Sequence, residues 1–86
     1  MIKVVWTGNA VNDLKKLDRL VARRIIKKIS WFSAYYDKVI HEPLSGDLKG
    51  MFKLRVGDWR VIYTLKSDNA IIYFVGHRSD IYEDRA

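Results

Sequence analysis

The chain contains no cysteine, which excludes disulfides, thiolate chemistry and cysteine-based zinc sites. Glycine and proline are scarce, five and one residues among 86, and no stretch reads as a linker, a repeat or a low-complexity tract. Long apolar runs are missing as well. Residues Ile2–Trp6 are too few for a signal peptide, polar residues follow at once, and no run approaches a membrane span. A cytoplasmic protein without membrane association is expected. A glycine-rich phosphate loop is excluded, because Gly46, Gly50 and Gly57 have the wrong spacing and no Lys-Ser or Lys-Thr follows a glycine. His41-Glu42 opens like a zinc-protease motif, but Ser45 stands where the second histidine belongs. With only two histidines, far apart, neither a metal nor a cofactor is expected.

What the chain does have is apolar bulk and positive charge. Hydrophobic residues make up 49% and aromatic residues 13%, the composition of a folded chain rather than a disordered one. The length suits one domain, 1–86, with a modest core. A net charge of +6 and a pI of about 9.7 point to an anionic partner, nucleic acid first and an acidic protein or a membrane surface after it.

Hydrophobic periodicity divides the chain into elements. Ile2–Trp6 is β-branched and aromatic and predicts a strand. Thr7 can cap a helix over about 9–17, in which Ala10, Leu14 and Leu17 share a face and Asn12, Asp13, Lys15 and Lys16 point elsewhere. Asp18 starts a longer helix, to about Tyr36, with the apolar stripe Ala22, Ile25, Ile29, Phe32 and Tyr36. Its polar face carries Arg19, Arg23, Arg24, Lys27 and Lys28, either a solvated surface or a place for phosphates or an acidic partner. Residues 37–50 read as loop. Three strands follow: Met51–Val56, Trp59–Lys66 across a Gly57-Asp58 turn, and Ala70–Val75, ended by Gly76. In the middle one Val61, Tyr63 and Leu65 face one way and Arg60, Ile62 and Thr64 the other. A single helical turn is expected near Asp80–Glu83. The order β-α-α-β-β-β predicts an α+β domain, two helices on one face of a four-stranded, mainly antiparallel sheet, with the other face partly open.

Chemistry concentrates on that second face. Lys53 and Arg55 lie two apart on one strand, Arg60 lies across the hairpin, and His77, Arg78 and Tyr82 follow the last strand. Like charges on adjacent strands repel, so such a cluster is best tolerated with an anion between them. The plain alternative is that each basic residue is a separate solvated edge charge, or pairs with Asp58, Asp80 or Glu83. A metal-free ribonuclease needs this kind of set. It requires a base for the ribose 2′-hydroxyl, cations around the developing phosphate charge and a proton donor for the departing oxygen. Arginine suits the charge role because it stays protonated and grips phosphate through two bonds. Trp59, Phe52 or Tyr82 could stack on an unpaired base, although core packing competes for these rings.

The run Glu42-Pro-Leu-Ser-Gly-Asp-Leu-Lys-Gly-Met-Phe-Lys-Leu-Arg-Val-Gly-Asp-Trp-Arg-Val-Ile-Tyr63 resembles the signature region of RelE-like toxins of the RelE/ParE superfamily. So does Gly76-His-Arg-Ser-Asp-Ile-Tyr-Glu83, and the resemblance covers essentially the whole chain. It implies a RelE-like microbial ribonuclease fold and a ribosome-dependent endoribonuclease that cleaves mRNA in the A site. It also implies a cognate antitoxin that joins the toxin in a hetero-oligomer. By position, Arg60 matches the arginine that stabilises the transition-state phosphate, and Lys53 a strand lysine that contacts the phosphate or helps activate the nucleophile. Arg78 matches a phosphate ligand or proton donor, and Tyr82 a C-terminal tyrosine that acts as base or stacking group. Glu42 resembles the general base of YoeB-like members, and His77 sits where related toxins sometimes use histidine. Lys49, Arg55, Arg23, Arg24, Lys27 and Lys28 are the expected contacts to RNA or ribosome.

Three departures stand out. Met51 replaces the second lysine of the RelE strand pair, Tyr82 lies one residue closer to its arginine, and the tail lacks the His-Tyr ending of YoeB-like toxins. The general base is therefore Glu42, Tyr82 or His77. Within the same superfamily the alternative is a ParE-like inhibitor of DNA gyrase, without nuclease activity. A third reading is a non-toxic nucleic-acid-binding or antitoxin-docking remnant.

Overall fold

A computed structural model describes the backbone of residues 1–85 and the side chains of residues 1–81. The chain runs β1 (Lys3–Trp6), α1 (Gly8–Lys15), α2 (Arg19–Ala34), β2 (Glu42–Pro43), β3 (Phe52–Val56), β4 (Trp59–Lys66), β5 (Asn69–His77) and α3 (Arg78–Arg85). Short 3-10 turns occupy Tyr36–Lys38 and Gly46–Leu48. Both predicted caps form. The Thr7 hydroxyl accepts from the Ala10 N–H at 3.1 Å and the Asp18 carboxylate from the Leu20 N–H at 3.0 Å, each worth about 1 kcal/mol.

The predicted four strands are five, in the order β1-β5-β4-β3-β2. β1 runs parallel to β5 and every other pairing is antiparallel. The additional strand is β2, two residues long, with Glu42 opposite Lys53 and Pro43 opposite Phe52. Its sequence carries no alternation, and its proline is allowed because β2 is an edge. β5 is longer than expected, and Gly76 lies within it, opposite Arg60. The single turn near Asp80–Glu83 is instead the eight-residue helix α3, which follows β5 directly. The second helix stops at Ala34, and Tyr36 lies in a 3-10 turn while still packing on the core.

Side-chain alternation sorts the sheet into two faces. Leu54, Val56, Val61, Tyr63, Ile72 and Val75 meet Ala10 of α1 and Ile25, Ile29 and Phe32 of α2 in one core. Ile62 and Ile81 are buried outside that cluster. Ile81 lies 3.6 Å from where a Cβ on Gly76 would stand, so α3 covers one end of the face expected to be open.

A bulge in β5 explains how α1 is held. Ile62 pairs with Phe74 but Tyr63 pairs with Ile72, so Tyr73 has no partner in β4. Polar side chains of α1 take up the backbone there. Asn9 donates to the Tyr73 carbonyl at 2.8 Å, and the Asp13 carboxylate accepts from the Val75 N–H at 3.0 Å. Asp13, expected to point away from the apolar face, thus serves the sheet, because an unpaired backbone group near the core must find a partner.

Candidate active site

Phe52, Leu54 and Val56 turn inward, which sends Lys53 and Arg55 to the opposite face of β3. The Gly57-Asp58 turn, with Gly57 at φ 62, returns the chain so that Arg55 lies opposite Arg60. Between β4 and β5, Arg60 is paired with Gly76. Arg60, Lys53, His77, Arg78 and Ser79 line one open cavity of about 400 Å³.

Arg60 is the distinctive group. It is 9% exposed, and no other charged side chain among the described residues is buried. Its Nη1 donates to the carbonyls of Gly57 at 2.8 Å and Trp59 at 2.9 Å, which fixes the plane of the guanidinium. Among the described residues no carboxylate pairs with it, and Nε and Nη2 have no protein acceptor. A buried charge without a counter-ion is costly. An anion in the adjacent cavity would remove that cost.

The other cations are held by carboxylates at the rim. The Glu42 carboxylate lies 3.7 Å from Lys53 Nζ and 3.3 Å from Arg55 Nη2. Arg78 donates its backbone N–H to the Asp58 carbonyl at 2.8 Å, and its Nε lies 3.6 Å from the Asp58 carboxylate. Both members of that ion pair are exposed, so it is weak and exchangeable. His77 stands edge-on to Trp59, and its Nδ1 accepts from the Ser79 N–H at 3.2 Å. The neutral ring therefore carries its proton on Nε2.

The expected residues divide accordingly. Lys53, Arg60, His77 and Arg78 come together, with Glu42 and Arg55 against Lys53. Tyr82 lies on α3, and its side chain falls outside the described residues. Lys49 is exposed at the end of the second 3-10 turn. Arg23, Arg24, Lys27 and Lys28 sit on α2, which packs against the opposite face of the sheet from Arg60. Arg24 reaches the Gly57 turn, and Lys28 lies 3.8 Å above the ring of Trp31. Lys28, Arg24, Lys27, Trp31 and Val56 line a separate cavity of about 380 Å³.

Sequence reasoning offered Asp58 as one possible partner of these cations without saying of which, and the structure sets it against Arg78. It also left His41 without a role. His41 joins an aromatic group of Phe32, Tyr36, Phe52 and Tyr63, and its Nδ1 lies 2.6 Å from the Tyr63 hydroxyl. Burial, then the neighbouring Tyr36 and Glu42, push the Tyr63 hydroxyl well above the usual tyrosine range. The Tyr63 hydroxyl therefore keeps its proton and is available to donate in that bond. No spacing signal in the sequence joins these two residues. Among the described residues no three His, Asp or Glu side chains gather so as to hold a metal ion.

The sequence matches the family described as ParE toxin of type II toxin-antitoxin system, parDE, over residues 4–82. Comparison with curated proteins finds no match. Among solved structures, the chain is similar to one from the RelBE2 toxin-antitoxin complex of Mycobacterium tuberculosis. The identity is 28% and the TM-score 0.78, over 90% of this chain and 98% of that one. A chain of the RelB-RelE antitoxin-toxin complex from Methanococcus jannaschii is 22% identical with a TM-score of 0.74, over 95% of this chain and 99% of that one. The isolated E. coli RelE toxin is 18% identical with a TM-score of 0.72, over 98% of this chain and 94% of that one. The last two similarities concern the fold alone.

Proposed function

The chain belongs to the RelE/ParE superfamily, in the family of ParE toxins of type II toxin-antitoxin systems, and from that premise we propose that it is a ribosome-dependent endoribonuclease cutting mRNA in the A site. The observation that carries this reading is the buried guanidinium of Arg60, against which no carboxylate of the described residues lies, beside a cavity that Lys53 and Arg78 also line. Three cations around one cavity suit a phosphate that gains charge as it reacts.

The reaction follows from that arrangement. The 2′-hydroxyl oxygen attacks the adjacent phosphorus, and the bond to the 5′ oxygen breaks. The products are a 2′,3′-cyclic phosphate and a free 5′-hydroxyl. Glu42 takes the 2′-hydroxyl proton, with Lys53 holding its carboxylate at the edge of the cavity. Arg60 stays anchored to the hairpin and binds the non-bridging oxygens through Nε and Nη2. Arg78 exchanges Asp58 for phosphate, which a weak exposed pair permits. His77, as an imidazolium with its Nδ1–H turned to the Ser79 hydroxyl at 2.8 Å, gives its Nε2 proton to the departing oxygen and is left as the neutral ring. No step requires a metal ion. The ribosome supplies the mRNA in place, and the exposed cations Arg55, Lys49, Arg23, Arg24 and Lys27, with Lys28 beside them, contact its phosphates. A cognate antitoxin is the proposed protein partner, since two of the similar structures are toxin-antitoxin complexes. No described helix is long and apolar enough to cross a membrane. The cytoplasm, where ribosomes are, is the proposed location.

The test adds purified protein to a reconstituted translation reaction and maps mRNA 5′ ends by primer extension, beside an Arg60→Ala control. New ends at A-site codons, absent in the control, support both the activity and the site. Intact mRNA with translation running normally sinks the reading, and a supercoiling assay then decides for gyrase inhibition.

A further inference from the structure

β2 has little of its own to hold it. It pairs through two residues, and Pro43 has no N–H to donate. On its C-terminal side the Leu44 N–H donates to the Met51 carbonyl at 2.9 Å. On its N-terminal side Asp37 and Lys38 are exposed, and Ile40 is 87% exposed. Val39 packs on the margin of the core, and His41 enters an aromatic group. Its ring centroid lies 4.8 Å from Tyr36, 5.8 Å from Phe32, and 5.9 Å from both Phe52 and Tyr63. These rings come from α2, the first 3-10 turn, β3 and β4, so His41 ties the edge strand to four separate elements. Tyr63, its hydrogen-bond partner at 2.6 Å, is 1% exposed and fixed within the core.

Successive residues of a strand point to opposite faces. When His41 is pinned among the aromatic rings, Glu42 must stand on the cavity side, against Lys53 and Arg55. We propose that His41, held by the Tyr63 hydroxyl, is a positioning residue that sets where the Glu42 carboxylate stands relative to Lys53. The inference rests on the nuclease reading, in which Glu42 accepts the substrate proton. It assigns His41 no contact with RNA. Tyr36 and Tyr63 are the titratable groups facing its ring, and Glu42 is its chain neighbour. The Tyr63 hydroxyl keeps its proton at neutral pH and can donate it to Nδ1 of the Nε2–H tautomer.

The test uses Tyr63→Phe, which removes one oxygen and keeps the ring, and His41→Phe, which fills the aromatic site without an acceptor. His41→Asn is the rescue variant, since its amide oxygen can stand near the Nδ1 position. Two quantities are read on the whole protein. One is kcat and KM for mRNA cleavage on ribosomes. The other is amide hydrogen exchange at Leu44, whose N–H closes β2. Both phenylalanine variants are expected to lower kcat roughly ten- to a hundredfold, the cost of a small misplacement of a catalytic group. KM should stay unchanged and Leu44 exchange should accelerate. His41→Asn should recover part of the lost kcat. Wild-type kcat in Tyr63→Phe overturns the proposal, and so does a lost kcat with Leu44 protection intact. Faster exchange with normal kcat overturns it too, because the place of Glu42 would then not matter. If the wild-type protein itself does not cut mRNA, the nuclease reading fails first and this inference falls with it. The exchange data would still report whether His41 anchors β2.

Discussion

Replacing Arg60 separates its two roles, anchoring the hairpin and meeting the substrate phosphate. Nη1 is committed to the Gly57 and Trp59 carbonyls at 2.8 and 2.9 Å. Hydrogen bonds from a charged donor are worth about 1.5–3 kcal/mol each. Against them stands the cost of holding a guanidinium at 9% exposure without a carboxylate, which is several kcal/mol for a buried ion. These terms nearly cancel, so Arg60→Ala should change folding stability by no more than about 2 kcal/mol, a shift of roughly 10 °C in Tm for a domain of this size. Transition-state stabilisation has no such compensation. Loss of one aligned donor at a developing oxyanion costs about 10²–10³ in rate, or roughly 3–4 kcal/mol. Arg60→Lys is the sharper variant. A lysine ammonium is a single point of charge and cannot bind the two carbonyls and a phosphate in one fixed plane. It should fold like wild type and cleave almost as poorly as the alanine variant. Primer extension gives the cleavage rates and thermal melting monitored by circular dichroism gives the stabilities. A lysine variant that cleaves at the wild-type rate would refute the two-sided anchoring, and an unfolded alanine variant would refute the cancellation.

Asp13→Ala leaves the Val75 N–H at the β5 bulge without its acceptor; we expect a loss of about 1–3 kcal/mol in urea unfolding, and an unchanged midpoint would mean that water replaces the carboxylate without cost. Tyr63 is held protonated by burial. Its folded-state pKa lies above the ordinary value of 10.0, so its contribution is complete below about pH 10 and is lost as pH rises, when the unfolded chain ionises first. Wild type should therefore lose more stability above pH 10 than Tyr63→Phe does, and parallel alkaline unfolding curves would contradict the burial argument. Ribosome binding should weaken steeply with salt, and Arg55→Ala should flatten the slope of log K against log salt by roughly 0.7–0.9, the release of one counterion. An identical slope would remove Arg55 from the phosphate contacts.

Much of this architecture was legible along the chain, for local reasons. The caps Thr7 and Asp18, the Gly57-Asp58 turn and the alternation in β4 each depend on residues close in sequence. The grouping of Lys53, Arg60, His77 and Arg78 was legible too, since alternation and one hairpin suffice to bring strand residues to a common face. The resemblance to RelE-like toxins anticipated the superfamily that the match over residues 4–82 establishes. Other features had no local signature. β2 contains only Glu42 and Pro43 and exists because β3 offers an unpaired edge. Gly76 reads as a strand terminator, yet it lies within β5, because the ladder with β4 runs on through Arg60 and Gly76 to Trp59 and His77.

By itself the sequence determined the periodicities, the turns, the excess of positive charge and the exclusion of cysteine chemistry, all of which are properties of short windows or of composition. Tertiary structure alone decided which of the cations around the cavity meet a carboxylate among the described residues. Asp58 lies against Arg78, and Glu42 against Lys53 and Arg55, through pairings between separate strands and a helix start. Arg60 is left with two backbone carbonyls and an open cavity. Charge compensation is set by distance in space, and no spacing along a chain encodes it until the sheet register brings the partners together.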